Sequence, residues 1–237
     1  MLNLLKPSTW FAPSHPLIAR NQAAFAGFDQ SRPLTDYTFV VCDTELTGFD
    51  QRRDEIISIG AVLIRDLQID LGSTFHQYIR PRNTAHTQAT LIHRITPQQL
   101  ASSPSLEDVL PDFVEFAGSS LMVGHCVELD MGFLNRAAKK ILGGTLANPV
   151  IDTIHLARGY RRTLLGHFHD DEDRSCSYVL EDLAKEYNLP IFRPHDAFED
   201  AMQTAYLFLF LLKKFKKGGL LTLKDIYQAG KVGNLWY

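Results

Sequence analysis

Two carboxylates separated by one residue follow a short apolar run near the start of the chain. Asp43 and Glu45 come directly after residues 39–42, Phe-Val-Val-Cys, which favour a buried strand. The strand period of two places both acids on one face. Adjacent ionised carboxylates repel each other unless a hard divalent cation lies between them, so the pattern predicts a magnesium or manganese site. The simpler alternative, two solvated acids after a strand, would suffice for an isolated Asp-x-Glu.

Three residues farther along the chain could complete such a site. Asp130 is predicted to open the helix that follows a short strand, at the sheet edge where α/β folds bind ligands. Asp200 is predicted about one turn inside a helix that begins near His195. The histidine would then lie near enough to the carboxylates to act on a water bound there. Taken singly, each has a structural explanation, as a helix N-terminal acid, a solvated helix residue, and a capping or core histidine.

The elements that must position these residues alternate between strands and helices. Strands are predicted at 55–64 and 73–79, joined by a hairpin-like connection at 66–72, and further strands at 121–124 and 150–153. Helices are predicted at 17–28, 87–93, 105–116, 129–142, 154–162, 178–187 and 196–215. This βββαβα order predicts an α/β fold with a mixed sheet flanked by helices.

The chain divides into three parts on its sequence. Residues 37–217 are predicted to form the main domain, and residues 218–237 a C-terminal tail. Residues 1–36 contain four prolines but also Trp10, Phe11, Phe25 and Phe28, which are too many aromatics for a disordered segment. We therefore expect an extension that packs on the domain, with a partner-binding arm as the alternative.

Composition limits the classes of partner and of location. The formal net charge of -3 and the pI near 6.3 argue against a global basic field, so a polyanion must be held locally. The three cysteines form no Cys-x-x-Cys pair and are predicted to be reduced thiols. No signal peptide is recognisable, and the longest apolar stretch, 205–212, is too short to span a bilayer. We expect a soluble cytoplasmic protein with no membrane partner.

Two charged segments are given structural explanations. Residues 165–175 contain two histidines and four acids, but such a run between helices is more typical of a solvated loop than of a metal site. Four lysines between 213 and 217 end the longest predicted helix, where cations suit the helix dipole. A weak phosphate contact is the alternative for these lysines.

The order of the acidic motifs resembles that of a known enzyme family. Asp43-x-Glu45, Gly124-His125 followed five residues later by Asp130, and His195-x-Ala197 followed by Asp200 resemble the three motifs of the DEDDh exonucleases. This DnaQ-like group includes the proofreading subunit of bacterial DNA polymerase III and RNase T, and the resemblance covers residues 37–215. Supporting similarities lie at 54–62, 92–96, 151–153 and 180–184.

The resemblance implies an RNase H-like fold and removal of nucleotides from a 3′ end with two Mg²⁺ or Mn²⁺ ions. It implies that Asp43, Glu45, Asp130 and Asp200 are the metal ligands and that His195 is the general base. Two ions roughly 3.5 to 4 Å apart would clamp the attacking and leaving oxygens of the scissile phosphate. Their positive charge would also let an acidic protein bind a polyanion.

The resemblance and the position of the following turn together imply substrate contacts. Leu46, Thr47 and Gly48 directly follow the first two acids and are expected to contact the terminal sugar and base. Leu46 would offer an apolar surface to the base, so that Leu46→Asp would raise KM more than it unfolds the protein. His93 and His125 are further candidate substrate-binding residues.

The chain departs from the family pattern at three positions that are expected to affect how the terminal nucleotide is bound. Leu46 replaces the usual threonine, Cys126 a common asparagine, and Leu129 an aromatic residue. None of them removes a predicted metal ligand.

The leading hypothesis is thus an exonuclease on single-stranded or frayed DNA 3′ ends that releases nucleoside 5′-monophosphates. An RNA-trimming exoribonuclease and an inactive polymerase-associated subunit are the alternatives, and a replication or repair polymerase would be a compatible partner.

Overall fold

A computed structural model describes residues 14–82, 88–164 and 177–231 of the 237-residue chain. Five strands lie within these residues: β1 Phe39–Leu46, β2 Ile56–Arg65, β3 Gln68–Tyr78, β4 Leu121–Gly124 and β5 Val150–Asp152. The helices are α1 Pro16–Ala24, α2 Gln88–His93, α3 Pro97–Leu100, α4 Leu106–Ala117, α5 Val127–Ile141, α6 Thr153–Leu164, α7 Leu180–Glu186, α8 Ala197–Lys217 and α9 Leu223–Lys231. A single 3₁₀ turn, Leu34–Asp36, precedes β1.

The strands form one mixed sheet in the order β3-β2-β1-β4-β5. The first three strands are antiparallel neighbours, whereas β4 pairs parallel to β1 and β5 parallel to β4. β1 is the central strand because its apolar run is buried on both faces. The mixed sheet predicted from the sequence is confirmed.

The sheet separates two apolar cores, and side chains of β1 alternate between them. Val40 and Cys42 face the core shared with α4 and α5, whereas Phe39 and Val41 face the core shared with α6 and α8. The same alternation continues into the polar end of the strand. Asp43 therefore points toward the α8 side.

Three boundaries differ from the sequence prediction. β3 begins at Gln68, five residues earlier than predicted, because Asp66 and Leu67 both take positive φ values of 52° and 55° and make a tight hairpin turn. α5 begins at Val127, two residues earlier than predicted, so Asp130 lies inside its first turn instead of opening it. α1 ends at Ala24, earlier than the predicted end at residue 28.

Both flanking segments contribute to the core. Residues 218–237 were predicted to be a tail, but α9 lies within them, and Leu223 and Ile226 are completely buried in the core beside α6 and α8. The helix has only nine residues, which is too short for its apolar residues to show a clear helical period in the sequence. At the other end, Ile18 of α1 is buried, and the Asn21 amide donates to Gly118 O and Asn148 Oδ1. The packed extension is thus present from residue 14 onward.

Some sequence interpretations fall outside the described residues. They concern Trp10, Phe11, Cys176 and the acidic run at 165–175. Among the described residues, no helix has both the length and the apolar composition needed to cross a membrane.

The buried side chain of Ile226 provides a test of whether α9 belongs to the core. We expect Ile226→Ala to lower the free energy of unfolding by about 2–5 kcal/mol, because truncating a buried aliphatic side chain loses packing and leaves a cavity. Leu221→Ala is the matched control, since Leu221 is 53% exposed two residues before the helix. Its cost should stay within about 0.5 kcal/mol. Urea unfolding of both variants measures the difference, and equal values would show that α9 is a loosely attached tail.

Candidate active site

Three carboxylates meet at the polar end of β1. Asp43 and Glu45 come from β1 and Asp200 from α8, and one oxygen from each lies within 4.8 Å of the others. Both β1 acids lie inside the strand, where Asp43 pairs with Gly60 and Glu45 with Ser58 of β2. The strand period brings the two acids to the same face, as the sequence predicted. The group is partly exposed and has the hard oxygen donors that a divalent cation prefers.

Gly60 allows α8 to reach this face of the sheet. A Cβ atom at Gly60 would lie 2.2 Å from the carbonyl carbon of Ala197 and from the backbone nitrogen of Phe198. The first turn of α8 therefore packs directly on β2, opposite Asp43. This close approach carries Asp200 to the β1 carboxylates.

The start of α8 is fixed by its own polar residues. The Asp196 carboxylate caps the helix by accepting from the backbone N–H groups of Phe198 and Glu199. Arg193 donates to the other Asp196 oxygen at 2.6 Å. The direction of α8, and with it the position of Asp200, is therefore set by the Asp196 cap and by the contact of the helix with Gly60 of the sheet.

His195 stands at the entrance to α8, beside this cluster. Its backbone N–H donates to Asp200 Oδ2 at 2.8 Å, and its φ of 64° turns the chain sharply into the helix. The side chain lines a cavity of about 540 Å³ together with Asp43 and Asp200. The histidine and two of the acids thus border one open space.

Asp130 is placed next to the cluster but on the other side of β1. It is 5% exposed, and its Oδ1 accepts hydrogen bonds from the backbone N–H and the hydroxyl of Thr44. Thr44 lies between the two β1 acids and points toward α5, the opposite face. Asp130 is therefore not one of the three carboxylates within 4.8 Å, although its charge acts on Asp43.

Burial raises the pKa values of all four acids, and repulsion from neighbouring carboxylates adds to the rise. Burial raises the pKa of Glu45 to about 8, with repulsion from Asp200 adding to it. The pKa of Asp43 lies well above its ordinary value because of burial and then the charge of Asp130. Burial also raises the pKa of Asp130 to about 7, against the lowering effect of the Thr44 hydrogen bonds, and it raises that of Asp200. Such crowding is what a bound cation relieves.

The two further histidines singled out from the sequence lie in different surroundings. His125 borders the same cavity, and its ring nitrogens contact Thr153 Oγ1 and the Tyr178 carbonyl, both at 2.9 Å. His93 is 7% exposed, and its Nδ1 accepts from the Ile95 backbone N–H at 3.0 Å. Burial lowers the pKa of both rings, and the nearby His195 lowers that of His93 further. Both are therefore neutral imidazoles near neutral pH.

The turn after the acids is tightly constrained. The Thr47 backbone N–H donates to Glu55 O and its hydroxyl to Asp54 Oδ1, while a Cβ at Gly48 would lie 2.5 Å from the Asp54 carboxylate. Leu46 is only 6% exposed and packs in the core. This burial argues against the expectation that Leu46→Asp would mainly raise KM, because a carboxylate buried there would also destabilise the fold.

Three residues that organise the site were missed on sequence. Thr44 anchors Asp130, Gly60 admits α8, and Asp196 caps it. A glycine inside a predicted strand does signal a close backbone approach, so Gly60 could have been found. The alternation of side chains along β1 also predicts that Thr44 points away from Asp43 and Glu45. No neighbouring residue in the sequence indicates that Thr44 bonds to Asp130.

Comparison with known proteins places the chain among nucleases. A family model described as an exonuclease matches residues 40–208. A DNA polymerase III of the PolC type from Thermotoga petrophila is 38% identical over 189 residues. That match covers 80% of this chain but 13% of the polymerase, so this chain spans a small part of its curated relative.

Solved structures show the same fold at lower identity. Exonuclease X in complex with 5′ overhanging duplex DNA is 24% identical with a TM-score of 0.57, over 81% of this chain and 99% of that one. E. coli exonuclease I in complex with a dT13 oligonucleotide is 18% identical with a TM-score of 0.65, over 77% and 42%. The mixed sheet flanked by helices matches these neighbours, which confirms the predicted RNase H-like fold.

The raised pKa of Glu45 predicts how stability depends on pH in the absence of metal. A carboxyl with a higher pKa in the folded chain penalises folding as it ionises. The penalty is absent below the ordinary value of 4.5, grows as pH rises, and is complete above about 8. We expect Glu45→Gln to remove this penalty, so that in chelator its Tm exceeds that of the parent increasingly between about pH 5 and pH 8. Each kcal/mol gained corresponds to about 2–4 °C.

Glu128→Gln is the control for this measurement, because Glu128 is an exposed acid on α5 close to Asp130. Its Tm should follow that of the parent at every pH. A Glu45→Gln difference that did not change with pH would mean that Glu45 titrates normally in the folded protein.

Proposed function

This chain belongs to the exonuclease family, as a DnaQ-like nuclease that acts on nucleic-acid ends, and from that premise we propose a metal-dependent 3′-to-5′ exonuclease on DNA. The observation that carries the proposal is the group of Asp43, Glu45 and Asp200 oxygens within 4.8 Å, beside His195 and an open cavity. Repelling carboxylates of raised pKa are costly to keep near an anionic substrate unless a cation neutralises them.

The acids would hold the cations that the reaction needs. Asp43, Glu45 and Asp200 are our proposed direct ligands, with Asp130 as a fourth that either turns from Thr44 or contributes its second oxygen. When bound, two Mg²⁺ or Mn²⁺ ions would stabilise the charge that develops on the scissile phosphate. The ligand set consists of oxygens alone, which fits either ion.

His195 is our proposed general base. A neutral imidazole at the mouth of the cavity can accept the proton of the attacking water and deliver it to solvent. Its position is set by the bond from its backbone N–H to Asp200 and by the left-handed turn at the start of α8. The proposed base, His195, and the proposed ligand Asp200 therefore keep a fixed relative position, because they are five residues apart and joined by this hydrogen bond.

The cavity is our proposed site for the terminal nucleotide. Besides the acids and histidines, its lining includes Tyr178, Val179 and Phe192. Apolar and aromatic side chains can contact the face of any base without sequence preference. Thr47 and Gly48 remain our proposed contacts to the sugar from the opposite side, through the rigid turn that follows the acids. Leu46 would support that turn from within the core.

We favour DNA over RNA as the substrate on the strength of relatives. The matched relative from T. petrophila is a DNA polymerase III, and both structural neighbours were solved with DNA. Trimming of RNA 3′ ends is the alternative, and an inactive polymerase-associated subunit is disfavoured because all four acids and His195 are present. A polymerase partner stays a proposal, since this chain spans 13% of that polymerase.

One assay distinguishes these functions. Oligonucleotides of matched DNA and RNA sequence, each labelled at the 5′ end, are incubated with protein and Mg²⁺ or Mn²⁺. Removal of 3′ nucleotides gives a ladder of labelled products, and DNA should be shortened faster than RNA. A single labelled mononucleotide released at once would indicate the opposite polarity. Faster shortening of RNA would show that RNA, not DNA, is the preferred substrate. No shortening with either ion would support the inactive subunit.

Removing any one of the proposed ligands should abolish nucleotide release. We expect Asp43→Ala, Glu45→Ala, Asp130→Ala and Asp200→Ala each to lower kcat by at least 10²-fold, because the scissile phosphate loses charge stabilisation. The melting temperatures of the Asp43, Glu45 and Asp200 variants in chelator should be no lower than that of the parent, since each change relieves repulsion. Asp130→Ala also leaves the buried N–H and hydroxyl of Thr44 without their acceptor, so it is the variant whose melting temperature can fall. Glu128→Ala is the control and should retain parental activity. Full activity of any one variant would exclude that residue from the site.

Loss of His195 should change the pH dependence of the rate as well as its size. We expect His195→Ala to lower kcat by roughly 10² to 10⁴-fold, the usual contribution of a positioned base. The remaining activity should lose the acid limb of the pH–rate profile, because the imidazole must be neutral to accept a proton. Metal affinity and Tm should change little. Parental kcat, or a loss restored by added metal, would leave His195 with a structural role only.

A further inference from the structure

A second concave surface, outside the carboxylate cluster, carries a concentration of positive charge. It is a groove of about 220 Å³ between the start of β2 and the exposed side of α5, with part of α4 on its rim. Its lining contains two carboxylates, Glu55 and Glu107, and six cationic side chains. The cations are Arg52, Arg53, Arg80, Arg82, Arg136 and Lys140. This excess is unusual for a chain whose formal net charge is -3.

Only part of this charge is neutralised within the protein. Arg82 pairs with Glu107, and Arg53 lies 3.7 Å from Asp50. Arg52 and Lys140, by contrast, are exposed and form no ion pair with any carboxylate in the described part of the chain. The six cations outnumber the two carboxylates of the groove, and an anionic ligand would relieve the remaining repulsion among them.

The groove begins where the active-site turn ends. The loop that follows Gly48 crosses α5 at Gly132, where an added Cβ would lie 2.1 Å from the Gln51 side chain. Asp130 lies on one side of this crossing, and Arg136 lies one helical turn beyond it on the other. Arg136 donates to the Asp54 carbonyl at 2.6 Å, so the loop is held on α5 beside the groove.

The cations of α5 lie within reach of a nucleic acid whose end is bound at the carboxylates. Gly132, Arg136 and Lys140 are four residues apart and lie on one face of the helix. At 1.5 Å per residue, Lys140 is about 15 Å from Asp130 along the axis. That distance corresponds to roughly four phosphates at 3.4 Å per nucleotide of one strand. A nucleic acid with its 3′ end at the carboxylates is thus long enough to reach the groove.

We propose that this groove binds the sugar-phosphate backbone of the nucleic acid several nucleotides away from the scissile bond. The inference rests on the proposed function for its assignment to a substrate. Arginines and lysines contact phosphates without reading sequence, which suits an enzyme that removes any terminal nucleotide. The phosphates come either from the 5′ side of the cleaved strand or from a complementary strand in a duplex.

Binding in chelator tests the groove separately from catalysis. The probes are fluorescein-labelled dT20 and a duplex with a recessed 3′ end, titrated with protein and followed by fluorescence anisotropy. We expect the double variant Arg52→Ala with Lys140→Ala to weaken binding of at least one probe roughly tenfold at moderate salt. The slope of log affinity against log salt should fall by about 0.7 for each phosphate of a single strand that the variant no longer neutralises.

Two further variants control for charge and for folding. Lys213→Ala with Lys216→Ala removes the same charge from the exposed end of α8, away from the groove, and should bind as the parent does. Arg52→Lys with Lys140→Arg keeps the charge and should also bind normally. Equal weakening by the Lys213 and Lys216 variant, or parental affinity of the Arg52 and Lys140 variant for both probes, would overturn the proposal.

The two probes identify the source of the phosphates. Weakening on dT20 as well as on the duplex indicates the cleaved strand, whereas weakening on the duplex alone indicates the complementary strand. Where the protein hydrolyses DNA, kcat/KM for the dinucleotide dT2 should be unchanged in the variant, because dT2 is too short to reach Lys140. Failure of hydrolysis in every protein would refute the proposed function, while the anisotropy result would still decide whether the groove binds nucleic acid.

Discussion

Repulsion among buried carboxylates is the constraint on which the arrangement of this site depends. β1 carries Asp43 and Glu45 in the middle of the sheet, and neither acid has a cationic side chain among the factors that set its pKa. The surrounding chain instead adds two more acids, from α5 and α8. In the metal-free chain the acids reduce the cost of this repulsion by taking up protons, which is what their raised pKa values express, and a divalent cation would replace those protons.

The rest of the fold holds the acids together against this repulsion. Ser58 and Gly60 of β2 pair with the two acidic residues through backbone hydrogen bonds, which do not depend on the charge state of the side chains. α8 is held on β2 at Gly60 and buries Phe208 against Phe39, with ring centroids 5.0 Å apart. The apolar core thus supplies the free energy that keeps Asp200 beside Asp43 in the absence of metal.

Local patterns in the sequence were enough to predict a mixed sheet and to place Asp43 and Glu45 on one face, whereas the grouping of Asp130 and Asp200 with them came from the family resemblance. The alternation in β1 determines which way Asp43 and Glu45 point, and the helical phase from His195 to Asp200 is equally local. The contact between Thr44 and Asp130 could not be predicted in this way. Their hydrogen bonds join residues 86 positions apart, and they depend on how α5 packs across the sheet. α9 was missed for a related reason, since a nine-residue helix forms only because the core of α6 and α8 receives it.

The position of Thr44 suggests why Asp130 differs from Asp43 and Glu45. With Oδ1 bound to both the N–H and the hydroxyl of Thr44, Asp130 is partly stabilised as an anion, which opposes the effect of its burial. Asp43, which lacks such bonds among the causes of its shift, experiences burial and repulsion without compensation. Asp130 and Asp200 are thus each partly stabilised as anions by hydrogen bonds from the protein, whereas Asp43 and Glu45 have no such bonds among the causes of their shifts. An ordered site of this kind would fix the direction of Asp130 before metal arrives, and leave the remaining oxygens free to adjust to the ions and the phosphate.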